Sequence, residues 1–245
     1  MFTIHDGPTV GAQKKITEHW NSRSAAYDDS PGHSLCGDQE KSAWLRTLEA
    51  RLPPAPAEVL DAGTGTGFLA LLLAEMGYFV TGVDLAEDML VVARRKRVGL
   101  DPQPAFVLGN AAGPMWPAHS FDVIVSRHLL WTLIDPRTTF TSWFRLLRPG
   151  GRVLAFDSVR TESPAPTSTG YREELRESLP FGDVCSTESV LSVFEAAGFI
   201  TMSADRMREI EQAQRAADPA TDTPGSAQYA YVASRPTSDQ TGPVQ

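Results

Sequence analysis

The strongest constraint on the fold of this chain is a regular alternation between residues 58 and 157. Five short runs, rich in β-branched and other apolar residues, are too short for helices and predict strands. They are Glu58–Ala62, Phe79–Asp84, Ala105–Leu108, Phe121–Ser126 and Arg152–Asp157. Longer runs between them predict helices at Phe68–Met76, Glu87–Val98 and Arg137–Leu147. Apolar strands that alternate with helices predict an α/β fold, with a parallel sheet covered on both faces.

The segments on either side of this alternation extend the same domain. Helices are predicted at Lys14–Tyr27, Lys41–Leu52 and Thr187–Ala197. Ile200–Ile210 and Gln228–Arg235 are predicted to form a final antiparallel pair of strands, joined by a polar, mobile stretch, Glu211–Ala227. We therefore divide the chain into a helical N-terminal lid (1–40), a main domain (41–235) with a cap insertion at about 160–187, and a disordered tail (236–245).

Composition excludes several classes of function. The 245 residues include 22 Lys and Arg against 30 Asp and Glu, a net charge of -8. An acidic chain of this kind is not expected to bind nucleic acid or an anionic membrane, both of which need clustered basic residues. Two cysteines and an N-terminus without an apolar signal segment predict a cytoplasmic protein with free thiols. The sequence makes no prediction about oligomeric state.

The first predicted strand leads directly into a glycine-rich turn. Its sequence from Asp61 to Gly67 is DAGTGTG, and a helix is predicted to follow. The glycines allow a sharp turn and let a ligand contact bare main chain. The GxGxG pattern occurs in many kinds of nucleotide site. Its position between a strand and a helix, at the carboxyl end of a parallel sheet, indicates a cofactor site.

The second predicted strand ends in an acidic residue, Asp84. A carboxylate at this position can accept hydrogen bonds from both hydroxyls of a ribose, which NAD and S-adenosylmethionine each contain. The loop is spaced GxGxG rather than GxGxxG, and Asp61 stands directly before it. A carboxylate there would repel a pyrophosphate but attract an ammonium and a sulfonium group. This pattern favours S-adenosylmethionine.

Several motifs, in order along the chain, resemble those of class I S-adenosylmethionine-dependent methyltransferases of the bacterial small-molecule type. They are Val59–Gly67, Val80–Leu85, Phe121–Ser126, Arg127–Leu133 and Arg145–Leu154, with Trp20, Ala26–Asp28 and Gly32–His33 upstream. The resemblance covers about residues 15 to 235. It implies a Rossmann-like, mostly parallel seven-stranded sheet with helices on both faces, an antiparallel last strand and a helical N-terminal lid. It also implies methyl transfer to an O, N or electron-rich C atom of a small molecule, in secondary metabolism.

The resemblance carries cofactor-binding roles to particular positions. Asp61, Gly63 and Gly65 would line the methionine end, and Asp84 would bind the ribose. Leu85 and Met89 would flank the adenine, with Asn110 and Ala111 at its amino edge. Trp20, Tyr27, Thr64 and Arg127 complete the predicted set. Thr64 stands where a cysteine is more usual, and Asn110 replaces the usual Asp, although its amide oxygen can still accept a hydrogen bond.

Methyl transfer from a sulfonium needs mainly positioning and the exclusion of water, and it needs a base only if the acceptor must lose a proton. His128 follows the fourth strand, so it either lines the pocket or acts as this base. His33, in the predicted lid, is a second candidate, although a role in the pocket wall is the simpler interpretation. Trp131, Tyr171 and Phe181 are candidates to contact a flat, partly apolar substrate, with ordinary packing as the alternative. No HxH, HxxxH or clustered carboxylate set is present, and the spacing of His33 and Cys36 comes without two further ligands nearby, so metal-independent transfer is predicted.

Two other functions remain open at this point. An NAD-dependent oxidoreductase would use the same ribose-binding carboxylate, but the loop spacing and Asp61 count against it, and a Tyr-x-x-x-Lys pair is missing. A non-catalytic regulator that binds S-adenosylmethionine would retain the loop and Asp84 without turnover.

Overall fold

The computed structural model describes residues 8–113, 116–160, 175, 177–182, 186–221 and 226–237. The strands are β1 Glu58–Ala62, β2 Phe79–Asp84, β3 Ala105–Leu108, β4 Phe121–Arg127, β5 Leu147–Arg160, β6 Ile200–Arg206 and β7 Ser226–Ser234. The helices are α1 Pro8–Arg23, α2 Asp38–Glu49, α3 Phe68–Glu75, α4 Glu87–Lys96, α5 Pro136–Leu146, α6 Thr187–Ala196 and α7 Arg208–Ala217. Among the described residues, no helix is both long and apolar enough to cross a membrane.

The strands form one seven-stranded sheet in the order β3-β2-β1-β4-β5-β7-β6. Neighbouring strands among β1, β2, β3, β4 and β5 pair in parallel, whereas β7 runs antiparallel to both of its neighbours, β5 and β6. The predicted fold class is therefore confirmed. Because the chain reverses direction across the sheet between β3 and β4, the carboxyl ends of β1 and β4 flank the switch point at which open α/β sheets bind ligands.

Each face of the sheet is covered by its own set of helices. Alternate residues of β1 and β4 point to opposite faces, so that Val59, Val123 and Val125 pack in one core cluster while Leu60 and Ile124 pack in the other. The first cluster takes in residues of α2, α3, α4 and α7, and the second those of α5 and α6. Arg127 follows the alternation of Val123 and Val125, which places it on the first face.

One segment differs from its predicted structure. Ile200–Ile210 is not a single strand, because the strand ends at Arg206. Helix α7 begins at Arg208 and continues to Ala217, so it takes up the first part of the join that was predicted to be mobile. The helix buries Ile210, Ala213 and Gln214 on one side, with polar residues on the other. Buried residues that are three and four positions apart are typical of a helix. Because one of them is Gln214, a count of apolar residues does not reveal this helix.

The division into lid, domain, cap and tail remains a prediction. The segment before β1 is helical, but α1 begins earlier than expected and is followed by a single 3-10 turn, Ser24–Ala26. Most of the predicted cap, including Tyr171, and residues 238–245 of the predicted tail lie outside the described residues.

Candidate functional site

A cavity of about 390 Å³ opens at the carboxyl ends of the strands. Its lining follows the sheet order. Asn110 and Ala111 follow β3, Asp84 and Leu85 lie at the end of β2, Gly63 and Gly65 follow β1, and Arg127 and His128 lie at the end of β4. Helix α1 and the residues after it contribute Gln13, Ile16, Trp20 and Tyr27. The cavity is therefore a groove across four adjacent strands, covered by the N-terminal segment.

The glycine loop brings bare main chain to this groove. Gly63 and Gly65 have φ angles of 69° and 54°, in the left-handed region that glycine adopts without steric cost. A Cβ atom at position 63 would lie 2.7 Å from Cδ1 of Leu129. The backbone N–H groups of Gly63 and Thr64 donate to the Val83 carbonyl at 2.9 and 3.0 Å, which ties the loop to β2. The resulting cradle can hold a ligand against the backbone.

The Asp84 carboxylate is fixed at the middle of the groove. One oxygen accepts from the Gly65 N–H at 2.8 Å, and the other accepts from the Ala86 N–H at 2.9 Å. Burial raises the pKa of Asp84, while the backbone donors act in the opposite direction. A carboxylate held in this way keeps further acceptor capacity for paired hydroxyls of a ligand.

Asp61 and Thr64 lie beneath the loop rather than along the cavity. The Asp61 carboxylate accepts from the Thr64 hydroxyl at 2.7 Å and from the Ala70 N–H at 3.1 Å. Asp61 is 2% exposed, and burial raises its pKa to about 7. Its visible role is to hold the loop onto the first turn of α3. A direct contact of Asp61 or Thr64 with the cofactor remains a prediction.

Arg127 is a buried cation in the cavity wall. Its guanidinium lies 3.9 Å from the centre of the Phe68 ring and 5.5 Å from the centre of the Trp44 ring. It also donates a hydrogen bond to the Gly32 carbonyl. These contacts join β4 to α2, to α3 and to the N-terminal segment at one point.

Aromatic side chains form a continuous row next to this cation. Trp131 contacts Trp20 with ring centroids 6.1 Å apart, and Trp20 contacts Tyr27 at 5.8 Å. Tyr27 stacks on His33 at 4.3 Å, and His33 lies 5.7 Å from His128. Trp20, Tyr27 and His128 line the cavity, whereas Trp131 and His33 lie behind them.

The two histidines differ in their suitability as bases. His128 has a φ of 56°, an uncommon value for a residue other than glycine, and is held there by its N–H bond to the Phe156 carbonyl at 2.9 Å. Strained backbone of this kind is concentrated at functional sites. His33 has Nδ1 3.1 Å from the Tyr27 carbonyl, so this nitrogen must donate. Burial lowers the pKa of His33 to about 4, which makes it a weak base at neutral pH.

The N-terminal cover, residues 8–37, is attached to the sheet by a few side chains. Asp28 accepts from the Thr66 hydroxyl at 2.7 Å and forms an ion pair with Lys96. The Asn21 side chain accepts from the Asp88 N–H at 3.1 Å, at the start of α4. Together with the Arg127 bond to Gly32, these contacts fasten the cover over the groove.

Residues 60–155 match the family model described as a methyltransferase domain. The chain is 30% identical over 141 residues to a demethylmenaquinone methyltransferase of Clavibacter sepedonicus, covering 57% of this chain and 56% of that one. It is 33% identical over 121 residues to phosphoethanolamine N-methyltransferase 1 of Arabidopsis thaliana, covering 49% and 24%. Residues 60–155 are a methyltransferase domain of the class I, S-adenosylmethionine-dependent type. The chain spans less than two thirds of the length of these curated relatives.

The fold of the chain also resembles that of a solved methyltransferase structure. Phosphoethanolamine N-methyltransferase 2 of Haemonchus contortus, in complex with S-adenosylmethionine, has a TM-score of 0.65 at 20% identity. The likeness covers 95% of this chain and 59% of that one. At this identity it supports the fold. The fit of the cofactor depends on this chain's own residues, namely the bare cradle of Gly63 and Gly65, the fixed Asp84 carboxylate and the Arg127 cation.

The structure brings most of the predicted site of this methyltransferase together. Of the predicted cofactor residues, Trp20, Tyr27, Gly63, Gly65, Asp84, Leu85, Met89, Asn110, Ala111 and Arg127 line one cavity. Phe181 packs in the second core cluster and does not line the cavity. Gln13, Ile16, Leu129, Thr138 and Ser142 line it without having been predicted. Leu129 lies within the Arg127–Leu133 motif, whereas no motif marks the other four, because they reach the cavity through the packing of α1 and α5. The individual roles remain predictions.

Proposed function

We propose that this methyltransferase transfers a methyl group to an O, N or electron-rich C atom of an uncharged small organic molecule. The observation that carries the proposal is the order of groups along the groove. Asn110, Asp84, the glycine loop and Arg127 follow one another across β3, β2, β1 and β4. These groups suit an adenine, a ribose and an amino-acid carboxylate in that sequence. The cytoplasmic location and the place in secondary metabolism predicted from the sequence belong to the same proposal.

The residues beside Arg127 would act on the acceptor. When bound, S-adenosylmethionine supplies an electrophilic methyl group on a sulfonium centre. Tyr27, Trp20 and His128 would exclude water from the acceptor atom and orient it, since positioning supplies much of the rate in such displacements. If the acceptor atom carries a proton, the His128 imidazole would take it as the bond to carbon forms. His33 would remain neutral and support the Tyr27 ring.

An uncharged acceptor follows from the charges that face the groove. Among the described lining residues, Arg127 is the one permanent cation, and the cofactor carboxylate would use it. Asp84 and Asp135 also line the groove. With Asp84 beside the ribose, a phosphate group on the acceptor, such as the name of the phosphoethanolamine N-methyltransferases implies for theirs, would meet the Asp135 carboxylate and no second fixed cation among the described lining residues. The apolar lining from Ile16, Trp20, Leu133 and Ile134 suits a partly apolar molecule instead.

Calorimetric titration of the purified chain tests the cofactor. We expect S-adenosylmethionine and S-adenosylhomocysteine to bind with a 1:1 ratio and NAD not to bind. Binding of NAD alone would favour the oxidoreductase, and binding of none of the three would refute the proposed function.

Turnover with a tritiated methyl donor tests the acceptor. A panel of neutral phenols and amines should accept label in preference to their phosphate esters. Preference for the esters would refute the uncharged acceptor. Cofactor binding without turnover on any extract or compound would favour the regulator, and loss of an observed turnover in His128→Gln, with the cofactor Kd unchanged, would support the base.

A further inference from the structure

We infer that Glu40, Trp44 and Gln214 form a positioning network that holds the Arg127 guanidinium toward the groove, where it binds the carboxylate of the cofactor. The inference rests on the proposed function for the identity of that carboxylate. None of the three positioning residues lines the cavity. They come from α2 and from α7, the helix that the sequence did not predict.

Arg127 is buried, yet few hydrogen bonds engage its guanidinium. Among the described residues, its guanidinium donates to the Gly32 carbonyl only, and its other contacts are the faces of Phe68 and Trp44. A guanidinium has five N–H donors. Because Arg127 also lines the groove, donors remain for an anionic group bound there. A planar cation of this kind suits a carboxylate, to which it can donate two parallel bonds.

The position of the Trp44 ring is set by Glu40. The indole Nε1 donates to the Glu40 carboxylate at 3.2 Å, one helical turn earlier in α2. Trp44 is fully buried, and its ring also packs edge-on against Phe68 at 5.2 Å and Phe156 at 5.1 Å. The ring face under the guanidinium is therefore held both by a hydrogen bond and by packing. Cation–π contacts gain strength when they are desolvated in this way.

Glu40 is a buried carboxylate whose oxygens are fully engaged. It is 1% exposed and accepts from the Cys36 N–H at 2.7 Å and from the Gln214 side-chain amide at 2.7 Å, in addition to Trp44. The Gln214 carbonyl oxygen in turn accepts from Gln228 of β7 at 2.7 Å. Burying a negatively charged carboxylate costs free energy even when it accepts three hydrogen bonds, unless an opposite charge lies nearby. Arg127 supplies that charge.

Burial and the neighbouring charges shift the pKa of Arg127 in opposite directions. Burial lowers the pKa of the Arg127 guanidinium, and the negative charges of Glu40, Asp157 and Asp61, together with the Tyr27 hydroxyl, act to raise it. Asp61 holds the glycine loop and Asp157 accepts from the Leu130 N–H at 2.8 Å. Glu40 has no such bond to the loops at the groove. It is the member of this set that reaches Arg127 through the Trp44 ring, and Gln214 of α7 holds its carboxylate in place.

Comparing the binding of two ligands distinguishes a positioning role of Glu40 and Gln214 from a purely structural one. S-adenosylhomocysteine carries the amino-acid carboxylate, whereas 5′-methylthioadenosine has the same adenosine and sulfur without it. Glu40→Gln removes the negative charge and replaces one carboxylate oxygen by an NH2 group, which cannot accept the hydrogen bonds that the oxygen accepts. We expect it to raise the Kd of S-adenosylhomocysteine on the order of tenfold and that of methylthioadenosine by less than about twofold, as measured by calorimetry. Gln214→Leu should give a smaller effect of the same selectivity.

Glu209→Gln is the matched control. It makes the same chemical change on α7, at an exposed side chain paired with Arg46 at the surface, and should alter neither Kd. In an Arg127→Met background, Glu40→Gln should have no further effect on S-adenosylhomocysteine, because the two residues act through one contact. Equal weakening of both ligands, weakening of neither, or additive effects in the double variant would each overturn the inference. If the wild-type chain binds neither ligand, the proposed function itself fails.

Discussion

The carboxyl edge of the sheet and the N-terminal cover form the two sides of one groove, but they are built differently. At the sheet edge, the glycine loop and Asp84 are held by backbone hydrogen bonds to neighbouring strands. In the cover, residues 8–37, the attachments are side-chain contacts: polar ones such as those of Asp28 and Asn21, and the apolar packing of Ala12, Ile16 and Trp20. The edge therefore shares the stability of the sheet, whereas the cover can open by breaking side-chain contacts while the sheet stays intact. A cofactor site that must exclude water and yet exchange its ligand needs both properties.

This comparison predicts that changes at the sheet edge abolish binding or destabilise the fold, and that changes in the cover have smaller effects. The following variants test it, from the largest expected effect to the smallest.

Asp84→Ala should weaken binding of S-adenosylhomocysteine by about 100-fold or more. It removes the carboxylate that would bind the ribose, and it leaves the Gly65 and Ala86 N–H groups without their acceptor. Calorimetry measures the Kd. Asp205→Asn, an exposed change on β6, is the control, and equal Kd values for the two variants would contradict the assignment of the groove.

Gly63→Ala should lower the free energy of unfolding by about 2 kcal/mol, measured by urea denaturation. The substitution places a side chain at a φ of 69° and a Cβ atom 2.7 Å from Leu129. Adding Leu129→Ala should relieve the contact but not the backbone strain. An unfolding midpoint equal to that of the wild type would show that the loop is not rigid, and the contrast with the cover would fail.

The contribution of His33 to stability should become unfavourable as the pH falls from about 6.5 toward 4, so the free energy of unfolding of the wild type should decrease relative to that of His33→Gln. The raised pKa of Asp61 gives the opposite pH dependence, which both variants share. The pKa of His33 is about 4 in the folded state and 6.5 unfolded, so only the unfolded chain binds the proton in this window. The difference between the variants should change by about 2 kcal/mol between pH 7 and pH 5. Denaturation at the two pH values measures it, with His119→Gln as the control. Parallel pH profiles would mean that His33 is not buried in solution.

Asp28→Ala should have the smallest effect on stability and act mainly on the cover. It removes the bond from Thr66 and the ion pair with Lys96, which are partly exposed and worth about 1 kcal/mol together. Amide exchange in α1 should become roughly threefold to tenfold faster, while exchange in β1 and β4 stays unchanged. Asp29→Ala, a change at the neighbouring exposed residue, should leave amide exchange in α1 unchanged. Equal acceleration in the sheet would show that the cover and the edge open together.

The cofactor half of the site is well predicted by sequence because its signals are local. Glycines with positive φ, a strand before them and Asp84 after the next strand are each visible within a few residues, and five predicted strands lie where the structure has them. Helix α7 is not visible in this way, because its buried face contains Gln214, whose partners are Glu40 and Gln228. A buried polar residue carries no apolar signal, and its partners are distant in sequence.

The sequence by itself determined the parallel sheet, the glycine loop and the type of domain formed by residues 60–155, since hydrophobic period and turn residues act over short distances. Only the tertiary structure decided which residues face the groove. It placed His128 on the wall and His33 behind Tyr27, moved Asp61 beneath the loop, and set Arg127 between Phe68 and Trp44. These choices depend on how helices from both ends of the chain pack on the sheet. Burial and electrostatic pairing between distant residues are properties of that packing.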